Sequence, residues 1–256
     1  MTTNFDLISD LYLESMEGIS WENKATSLFC IVAGNISHDH DVLFDFLEHI
    51  SNYYQGVFFI DGPLEHENFG SNLTASYDSL KVNIDAMKYV FFMHENIIIL
   101  PDVALLGTNG WTTFDFTRHN EVDSNMDFLS KQEEIPEGLI EEIFKMAITD
   151  QYYLRNSVET FQELNDIENL IIISNAVPRV EFILHNDDYN GTIKGDMVGN
   201  SGLIDCLIHD TKQKTKSWLF GRYPEEIDYQ IGKIRYASNP AKNKDFKIYY
   251  PKIIKF

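Results

Sequence analysis

The sequence predicts an α/β fold made of one domain that spans residues 1–256. Short apolar runs typical of buried strands alternate along the chain with longer segments whose apolar residues recur at helical spacing, a pattern typical of layered α/β proteins. We find no internal repeat, low-complexity tract or linker, and a chain of 256 residues is long enough to bury one large core. The prediction is therefore a layered sandwich rather than a set of separate modules.

Each predicted element follows from its own pattern of apolar and turn residues. Ile97–Leu100, for example, is an apolar run followed at once by Pro101 and Asp102, which predicts a strand that ends in a turn. Residues 62–76, 111–136 and 185–199 are polar and are predicted to be loops. The predicted strands lie near residues 4–9, 27–33, 56–61, 97–100, 103–108, 169–174, 216–220, 228–232 and 234–238, and the predicted helices near 40–53, 77–90, 137–149, 151–164 and 201–208.

The composition disfavours several classes of protein. There is no run of about 18 apolar residues that could span a membrane, and the start of the chain lacks the basic and apolar stretches of a secretory signal. Cys30 and Cys206 are far apart, and we expect both to be free thiols in a reducing compartment. These features predict a cytoplasmic protein, located in the host cytoplasm or the virion if it is viral.

Charge is unevenly distributed along the chain. The formal net charge of −20 disfavours binding to nucleic acid or to an anionic membrane surface. Residues 212–256 hold 11 of the 20 Lys and Arg but 4 of the 40 Asp and Glu, a net charge of +7, which leaves −27 on residues 1–211. The asymmetry predicts protein partners, including a homo-oligomer in which the basic C-terminal end meets the acidic body of another copy. A solvated surface without a partner and mimicry of DNA by the acidic body are the alternatives.

Five segments, in order along the chain, each consist of the end of a predicted strand and the short turn that follows it. They are Ser9–Glu14 (SDLYLE), Ile31–Ser37 (IVAGNIS), Val57–Glu65 (VFFIDGPLE), Leu170–Pro178 (LIIISNAVP) and Trp218–Pro224 (WLFGRYP). With the flanking segments Leu105–Trp111 and Ala237–Pro240, they resemble the motifs of the calcineurin-like metallophosphoesterases over about residues 4–241. An unrelated α/β protein is the alternative.

This resemblance implies a specific architecture and a specific site. The fold would be a four-layer α/β/β/α sandwich of two mixed sheets flanked by helices, in which the C-terminal basic segment 212–256 completes the second sheet. The family site holds two divalent cations through Asp, His and Asn side chains at the strand ends, and both cations polarise the phosphate.

Most positions at which the family has metal-site residues carry other residues in this chain. The resemblance implies that Tyr12 stands in place of a ligand His, Asn35 in place of the Asp that bridges both metals, and Pro63 in place of a ligand Asn. Asp10 and Glu65 keep the family's residue type. The vestigial metal-site positions are Asp10, Tyr12, Asn35, Pro63, Leu64, Asn175, Arg222 and Pro224, and Ala176 occupies a further His position.

The resemblance therefore predicts a pseudoenzyme with no catalytic residue, metal or cofactor. Its role would be that of a structural or protein-interaction component, and the abundance of Asn, Ile, Phe and Tyr, expected of an AT-rich genome, suggests a phage virion or a phage–host complex. The alternative is a phosphodiesterase or phosphatase with a weak or altered metal site. A remnant of one metal site could be built from Asp10, Asn35, Glu65 and Asn175.

Arg222 introduces a permanent cation at a ligand position. Because guanidinium forms bidentate bonds with carboxylates, we expect Arg222 to pair with Asp10 or Glu65 and to fill the place of the metals. The alternative is an arginine that points into solvent.

Other candidate residues have simpler interpretations. Alternate histidines in His38–His40 do not share a helix face, and Asp39 is expected to cap the helix. Ser174 and Tyr12 could be nucleophiles only with a base in reach, although a new catalytic arrangement stays open. The remaining histidines that we considered match no family position; they are His66, His94, His119 and His209. The candidates for partner contacts are three tyrosine pairs, Tyr53 and Tyr54, Tyr152 and Tyr153, and Tyr249 and Tyr250, unless one ring of each pair lies in the core.

Overall fold

Two β-sheets form the centre of the protein in the computed structural model, which describes residues 3–69, 72–117 and 137–255. The first sheet consists of Phe5–Ile8 (β1), Phe29–Ala33 (β2), Gly56–Ile60 (β3), Val90–Phe92 (β4) and Lys252–Ile254 (β11). Its strand order is β11-β1-β2-β3-β4; β1 to β4 run parallel, and β11 is antiparallel to β1.

The second sheet is also mixed. It consists of Asn96–Ile99 (β5), Ala104–Thr108 (β6), Leu170–Ser174 (β7), Thr215–Phe220 (β8), Asp228–Ile231 (β9) and Ile234–Ala237 (β10). The strand order is β5-β6-β7-β8-β10-β9, in which β6, β7, β8 and β10 are parallel while β5 and β9 are antiparallel edges.

Helices cover the outer face of each sheet. His40–Ser51 (α1) and Leu73–Asp85 (α2) lie against the first sheet, and Glu137–Glu163 (α3) lies against the second; a short helix, Ile193–Met197 (α4), follows. The Asp39 side chain accepts from the amides of Asp41 and Val42, so the predicted cap of α1 is confirmed. Short 3₁₀ segments occupy Leu13–Ser15, Pro63–Phe69, Val180–Phe182, Leu203–His209 and Phe246–Ile248.

Alternation along the strands produces the layers. In β7, Ile171 and Ile173 point between the sheets, where they belong to one cluster with Ile31 and Phe58 of the first sheet, whereas Leu170 and Ile172 pack on the side of α3. Side chains alternate between the two faces of a strand, so both faces of each sheet are buried. The predicted four-layer α/β/β/α sandwich is confirmed.

Several predicted boundaries are wrong. α3 is one continuous helix, whereas the sequence predicts two helices that meet near Asp150. The Asp150 carboxylate is buried and accepts hydrogen bonds from the Thr108 hydroxyl and, at 2.8 Å, from the Trp111 backbone amide. Asp150 therefore stabilises the tertiary structure and does not end the helix. α2 begins at Leu73 rather than near residue 77, because the Asn72 side chain caps it. Val90, predicted to end that helix, belongs to β4.

The basic segment 212–256 contributes to both sheets rather than completing only the second. β8, β9 and β10 lie in the second sheet, but β11 pairs with β1 in the first. The short strand β11 was not predicted, because three residues carry too little pattern and its partner lies at the opposite end of the chain.

The tyrosine pairs are divided between core and surface. Tyr53, Tyr152 and Tyr250 are exposed, whereas Tyr54 and Tyr249 are buried and the Tyr153 hydroxyl donates to the Asn96 carbonyl. One ring of each pair is therefore not available to a partner. Cys30 and Cys206 are free and buried. Within the described ranges, no helix has the length and apolarity needed to cross a bilayer. The predicted loop over 111–136 is described only to residue 117.

Candidate functional site

Polar residues follow six strands at one edge of the two sheets. Because β1, β2 and β3 are parallel, as are β6, β7 and β8, the residues after their carboxyl ends lie at the same edge. Hydrogen bonds connect the two sheets here, since the Asn175 side-chain amide donates to the Ala33 carbonyl at 2.8 Å. We call Asp10, Asn35, Glu65, Asn175 and Arg222 the Asp10 pocket. The structure places these five residues together at this edge, where Asp10 contacts Asn35 and Arg222 and the Asn35 backbone amide contacts Glu65.

Asp10 is buried, and its two carboxylate oxygens differ in their hydrogen bonds. Its Oδ1 accepts from Asn35 Nδ2 at 2.9 Å and from the Arg222 backbone amide at 2.7 Å. Its Oδ2 is buried and has no hydrogen-bond partner among the residues described. Burial raises the pKa of Asp10 to about 7, although hydrogen bonds from Asn35, Ser9 and Arg222 oppose that rise.

Asn35 uses both ends of its side-chain amide inside the pocket. Nδ2 donates to Asp10, and Oδ1 accepts from the Leu64 amide at 3.3 Å. A carboxylate at this position could offer two oxygens to metals, whereas the amide offers a single oxygen that is already bound. The Asn35 side-chain amide thus links Asp10 to the Leu64 backbone inside the pocket.

The Glu65 carboxylate accepts hydrogen bonds from four backbone amides. Its Oε1 accepts from the amides of Ile36 and Ser37 at 2.5 and 3.4 Å, and its Oε2 accepts from Asn35 and Gly62 at 3.1 and 2.6 Å. Burial raises the pKa of Glu65 to about 8, although these backbone amides favour the ionised form. All of its strong acceptor directions are used, so its role is to hold two loops together.

Arg222 contacts Asp10 through its backbone and not through its guanidinium. The residue has φ +64°, which directs its amide at Asp10 Oδ1. Within the described part of the chain, the guanidinium forms no ion pair with Asp10 or Glu65, and its buried Nη1 has no hydrogen-bond partner. The predicted ion pair is therefore wrong in its geometry. Burial lowers the pKa of Arg222 to about 10, while nearby Tyr12 and Asp10 oppose this change.

Asn175 fills the centre of the pocket. A Cβ on Gly62 would lie 2.4 Å from Asn35 Oδ1 and 2.8 Å from Asn175 Cγ, and a Cβ on Gly34 would lie 2.5 Å from Asn175 Nδ2. Glycine is required at both positions because the two amides pack directly on the backbone. Asn175 Oδ1 is buried and lacks a partner in the described ranges.

The other vestigial positions are spread over the rim of the pocket. Tyr12 is 45% exposed, Leu64 and Ala176 are buried apolar residues, and Pro63 begins the 3₁₀ segment. Pro224 is exposed. None of these side chains supplies a ligand atom suited to a hard divalent cation.

The residues present do not fit a two-metal centre. Of the atoms predicted to form a remnant site, Asp10 Oδ2 and Asn175 Oδ1 alone are not committed to hydrogen bonds, and Arg222 brings a positive charge beside them. In the residues that the structure describes, no group of three His, Cys, Asp or Glu side chains could hold a metal ion. Two divalent cations need more oxygen and nitrogen ligands than this pocket offers.

The backbone of the Asp10 pocket is nevertheless unusual. Asp10, Tyr12, Asn35 and Arg222 all have positive φ between 50° and 64°, and they are half of the eight such non-glycine residues in the described ranges. Backbone conformations of this kind cost free energy and persist where surrounding structure enforces them. The loops around the Asp10 pocket therefore have a strained backbone conformation that the surrounding structure maintains.

A second polar group lies at the same edge and was not predicted. We call Asp61, His66, Tyr77, His94 and Asn109 the Asp61 cluster. Asp61 Oδ2 accepts from His66 Nε2 at 2.8 Å, Asn109 Nδ2 at 2.6 Å and the Tyr77 hydroxyl at 3.1 Å. Asp61 directly follows β3, which was the available signal, but the histidines come from separate segments and matched no family position.

The electrostatics of Asp61 differ from those of Asp10. Burial alone would raise the pKa of Asp61, but the His66 hydrogen bond, the charges of His94 and His66 and the Asn109 hydrogen bond outweigh burial and lower it. His66 Nδ1 also meets the Ser76 hydroxyl at 2.7 Å. Ser76 is completely buried, so this arrangement holds the α2 helix in place and does not present a nucleophile.

Comparisons with known proteins agree with the layered architecture. No protein-family model matches the sequence, and no curated protein matches it. Phosphopantetheinyl hydrolase (PptH) from Mycobacterium tuberculosis has a similar structure, with a TM-score of 0.67, 14% identity, and coverage of 94% of this chain and 89% of that chain. A putative 5'-nucleotidase from Staphylococcus aureus, solved with alpha-ketoglutarate, gives a TM-score of 0.51 and 11% identity over 100% of this chain and 53% of that chain. At these identities the likeness concerns the fold, and with the observed layers it shows that this chain has a metallophosphoesterase-like fold.

Proposed function

We propose that this protein is a non-catalytic metallophosphoesterase-like component with a structural or protein-interaction role. The observation that carries the proposal is Asn35, whose amide is hydrogen-bonded at both ends to Asp10 and Leu64. In a two-metal phosphoesterase the bridging position has to supply ligand oxygens to both cations, and here it closes the pocket instead.

Glu65 and Arg222 support the same proposal. The Glu65 carboxylate is held by backbone amides, and the Arg222 backbone occupies one oxygen of Asp10. A fold can keep its loops while its chemistry changes, because activity resides in the site and not in the scaffold. The folded domain would then present surfaces to a partner.

The proposed interaction surfaces combine charge and exposed aromatic rings. Tyr53, Tyr152 and Tyr250 are exposed and suited to partner contacts. Part of the basic excess of residues 212–256 is used internally, since Lys212 and Lys214 donate to carbonyls at the end of α3. Head-to-tail association would therefore depend on the remaining basic residues near the C-terminal end. A place in a phage virion or a phage–host complex is the further part of this proposal, and its support is composition.

Turnover of an aryl phosphodiester tests the absence of catalysis. The purified protein would be assayed with bis(4-nitrophenyl) phosphate in Mn²⁺, beside the matched variant Asp10→Asn. We expect the two proteins to show the same background rate. Turnover by the natural chain that Asp10→Asn abolishes would overturn the proposal and favour the alternative, an enzyme with an altered metal site.

The native mass tests the form of the interaction. Light scattering at low and high salt should show an assembly that dissociates as salt screens the acidic and basic surfaces. A monomer at both salt concentrations would contradict head-to-tail association and would assign the role to a different protein partner.

A further inference from the structure

Asp61 has one oxygen that its neighbours leave free. Three donors converge on Oδ2, from His66, Asn109 and Tyr77, while Oδ1 is buried and has no hydrogen-bond partner among the described residues. Asp61 is completely buried. Donors on one oxygen fix the orientation of a carboxylate, so Oδ1 has a defined direction.

That direction leads toward His94. His94 Nδ1 lies 3.8 Å from Asp61 Oδ1, and it too is buried without a hydrogen-bond partner in the described ranges. The ring is held by aromatic neighbours, with its centroid 4.3 Å from that of Tyr77 and 6.0 Å from that of Phe92. The gap is too long for a hydrogen bond between the two atoms.

Asn109, another member of the Asp61 cluster, has a third buried atom without a hydrogen-bond partner. Its Nδ2 is bonded to Asp61, whereas its Oδ1 is buried and unpartnered in the part of the chain that is described. Asn109 is completely buried. Unsatisfied buried polar atoms are costly, and three around one carboxylate indicate that something else satisfies them.

We propose that Asp61 Oδ1 and His94 Nδ1 bind one divalent first-row transition-metal ion of the Zn²⁺ or Mn²⁺ class, and that the unpartnered amide oxygen of the neighbouring Asn109 is the candidate for a further ligand. Imidazole nitrogen, carboxylate oxygen and amide oxygen together suit such ions. Two ligand atoms that each lie about 2 Å from one ion are about 3.3 Å apart at a tetrahedral angle, so the 3.8 Å gap between Asp61 Oδ1 and His94 Nδ1 would have to narrow when the ion binds. The hydrogen bonds from His66 and Tyr77 to Oδ2 would orient the carboxylate. This site is separate from the Asp10 pocket and does not depend on its chemistry.

The His94 ring is part of the wall of a cavity. His94 is 21% exposed and lines a cavity of about 670 Å³ together with Tyr77. Asp78, Asp85 and Glu95 line the same cavity, while its one lysine, Lys81, is paired with Asp85 at 2.8 Å. The negative lining attracts cations toward His94.

Zinc titration by calorimetry tests the site, with the variant His94→Phe. Phenylalanine keeps the ring packing on Tyr77 and Phe92 but removes the ligand nitrogen. The matched control is His209→Phe, because His209 Nδ1 also lies 3.8 Å from a carboxylate, that of Glu159, but the Glu159 side chain is 62% exposed whereas Asp61 is buried. Thermal unfolding of each variant without metal verifies folding.

We expect the natural chain to bind one Zn²⁺, His94→Phe to lose at least about tenfold in affinity, and His209→Phe and Asp10→Asn to bind as the natural chain does. Absence of stoichiometric zinc, or unchanged binding by His94→Phe, would overturn the inference. Loss of zinc in Asp10→Asn with retention in His94→Phe would place a metal in the Asp10 pocket, and would therefore contradict the proposed function as well.

Discussion

The Asp10 pocket and the Asp61 cluster lie at the same edge of the sheets, but they shift the pKa of a buried carboxylate in opposite directions. Asp10 is surrounded by an amide and a backbone N–H, and burial raises its pKa to about 7. Asp61 has two histidines and a second amide around it, and these outweigh burial and lower its pKa. Burial alone does not decide the charge of a carboxylate; its nearest donors and cations do.

This difference also separates the two regions by function. In the Asp10 pocket, Asn35 and Glu65 form hydrogen bonds between loops, and Arg222 contacts Asp10 through its backbone amide. In the Asp61 cluster, ligand-type atoms stay free. The proposed cation site therefore lies at a position that the family resemblance did not mark.

The largest expected effect on stability comes from removing the Glu65 carboxylate. Glu65→Gln places an NH₂ group against two backbone N–H donors, so those donors lose their acceptor. We expect the free energy of unfolding to fall by about 3 kcal/mol, measured by urea denaturation. Glu67→Gln, two residues along and exposed, is the control and should change little.

Asp10→Asn sharpens the contrast within the Asp10 pocket. The variant keeps Oδ1 as acceptor for Asn35 and Arg222 and changes only the unpartnered Oδ2, so its stability should stay within about 1 kcal/mol of the natural chain. Equal losses in Glu65→Gln and Asp10→Asn would show that the two acids do not differ in role.

Asp150 tests whether a buried carboxylate without a cation behaves like Asp10. It lies near the Asp61 cluster, and burial raises its pKa to about 7 despite bonds from Thr108 and Trp111. Since the unfolded pKa is about 3.9, the folded state binds the extra proton, and this contribution to stability is present below about pH 4 and is lost as pH rises toward 7. The slope for one proton is at most about 1.4 kcal/mol per pH unit.

Asp150→Asn should remove that slope. Urea denaturation from pH 4 to 8 is therefore expected to show a flatter profile for Asp150→Asn than for the natural chain, while raised pKa values at Asp10 and Glu65 affect both proteins alike. Parallel profiles would contradict the raised pKa of Asp150.

The smallest effect is expected at Arg222. Because its guanidinium has no carboxylate partner in the described ranges, Arg222→Met should change the free energy of unfolding by about 1 kcal/mol or less in either direction. A loss of about 3–5 kcal/mol, the cost of breaking a buried ion pair, would instead restore the side-chain pairing predicted from the sequence. The exposed Arg155→Met is the control.

Much of the fold could be predicted from the sequence because long apolar strands carry their own signal. β2, β3, β6 and β7 are each buried almost throughout and were placed within a residue or two. β4 and β11 have three residues each, and their existence depends on pairing with distant strands. The continuity of α3 depends on a tertiary partner for Asp150, which periodicity does not contain.

The sequence indicates which residues lie near one another in the Asp10 pocket but not which of their atoms make contact. Parallel strands bring Asp10, Asn35 and Asn175 together, so their meeting follows from position. Whether Arg222 contacts Asp10 through guanidinium or backbone depends on φ +64°, which sequence spacing does not encode. His94 was missed because it reaches Asp61 from another segment, after β4.

Anomalous diffraction from crystals grown with Mn²⁺ tests the central claim most directly, since it locates bound manganese without reference to activity. The account predicts no anomalous peak between Asp10, Asn35 and Asn175. Two peaks about 3.5–4 Å apart in that pocket, the separation of a two-metal centre, would contradict it.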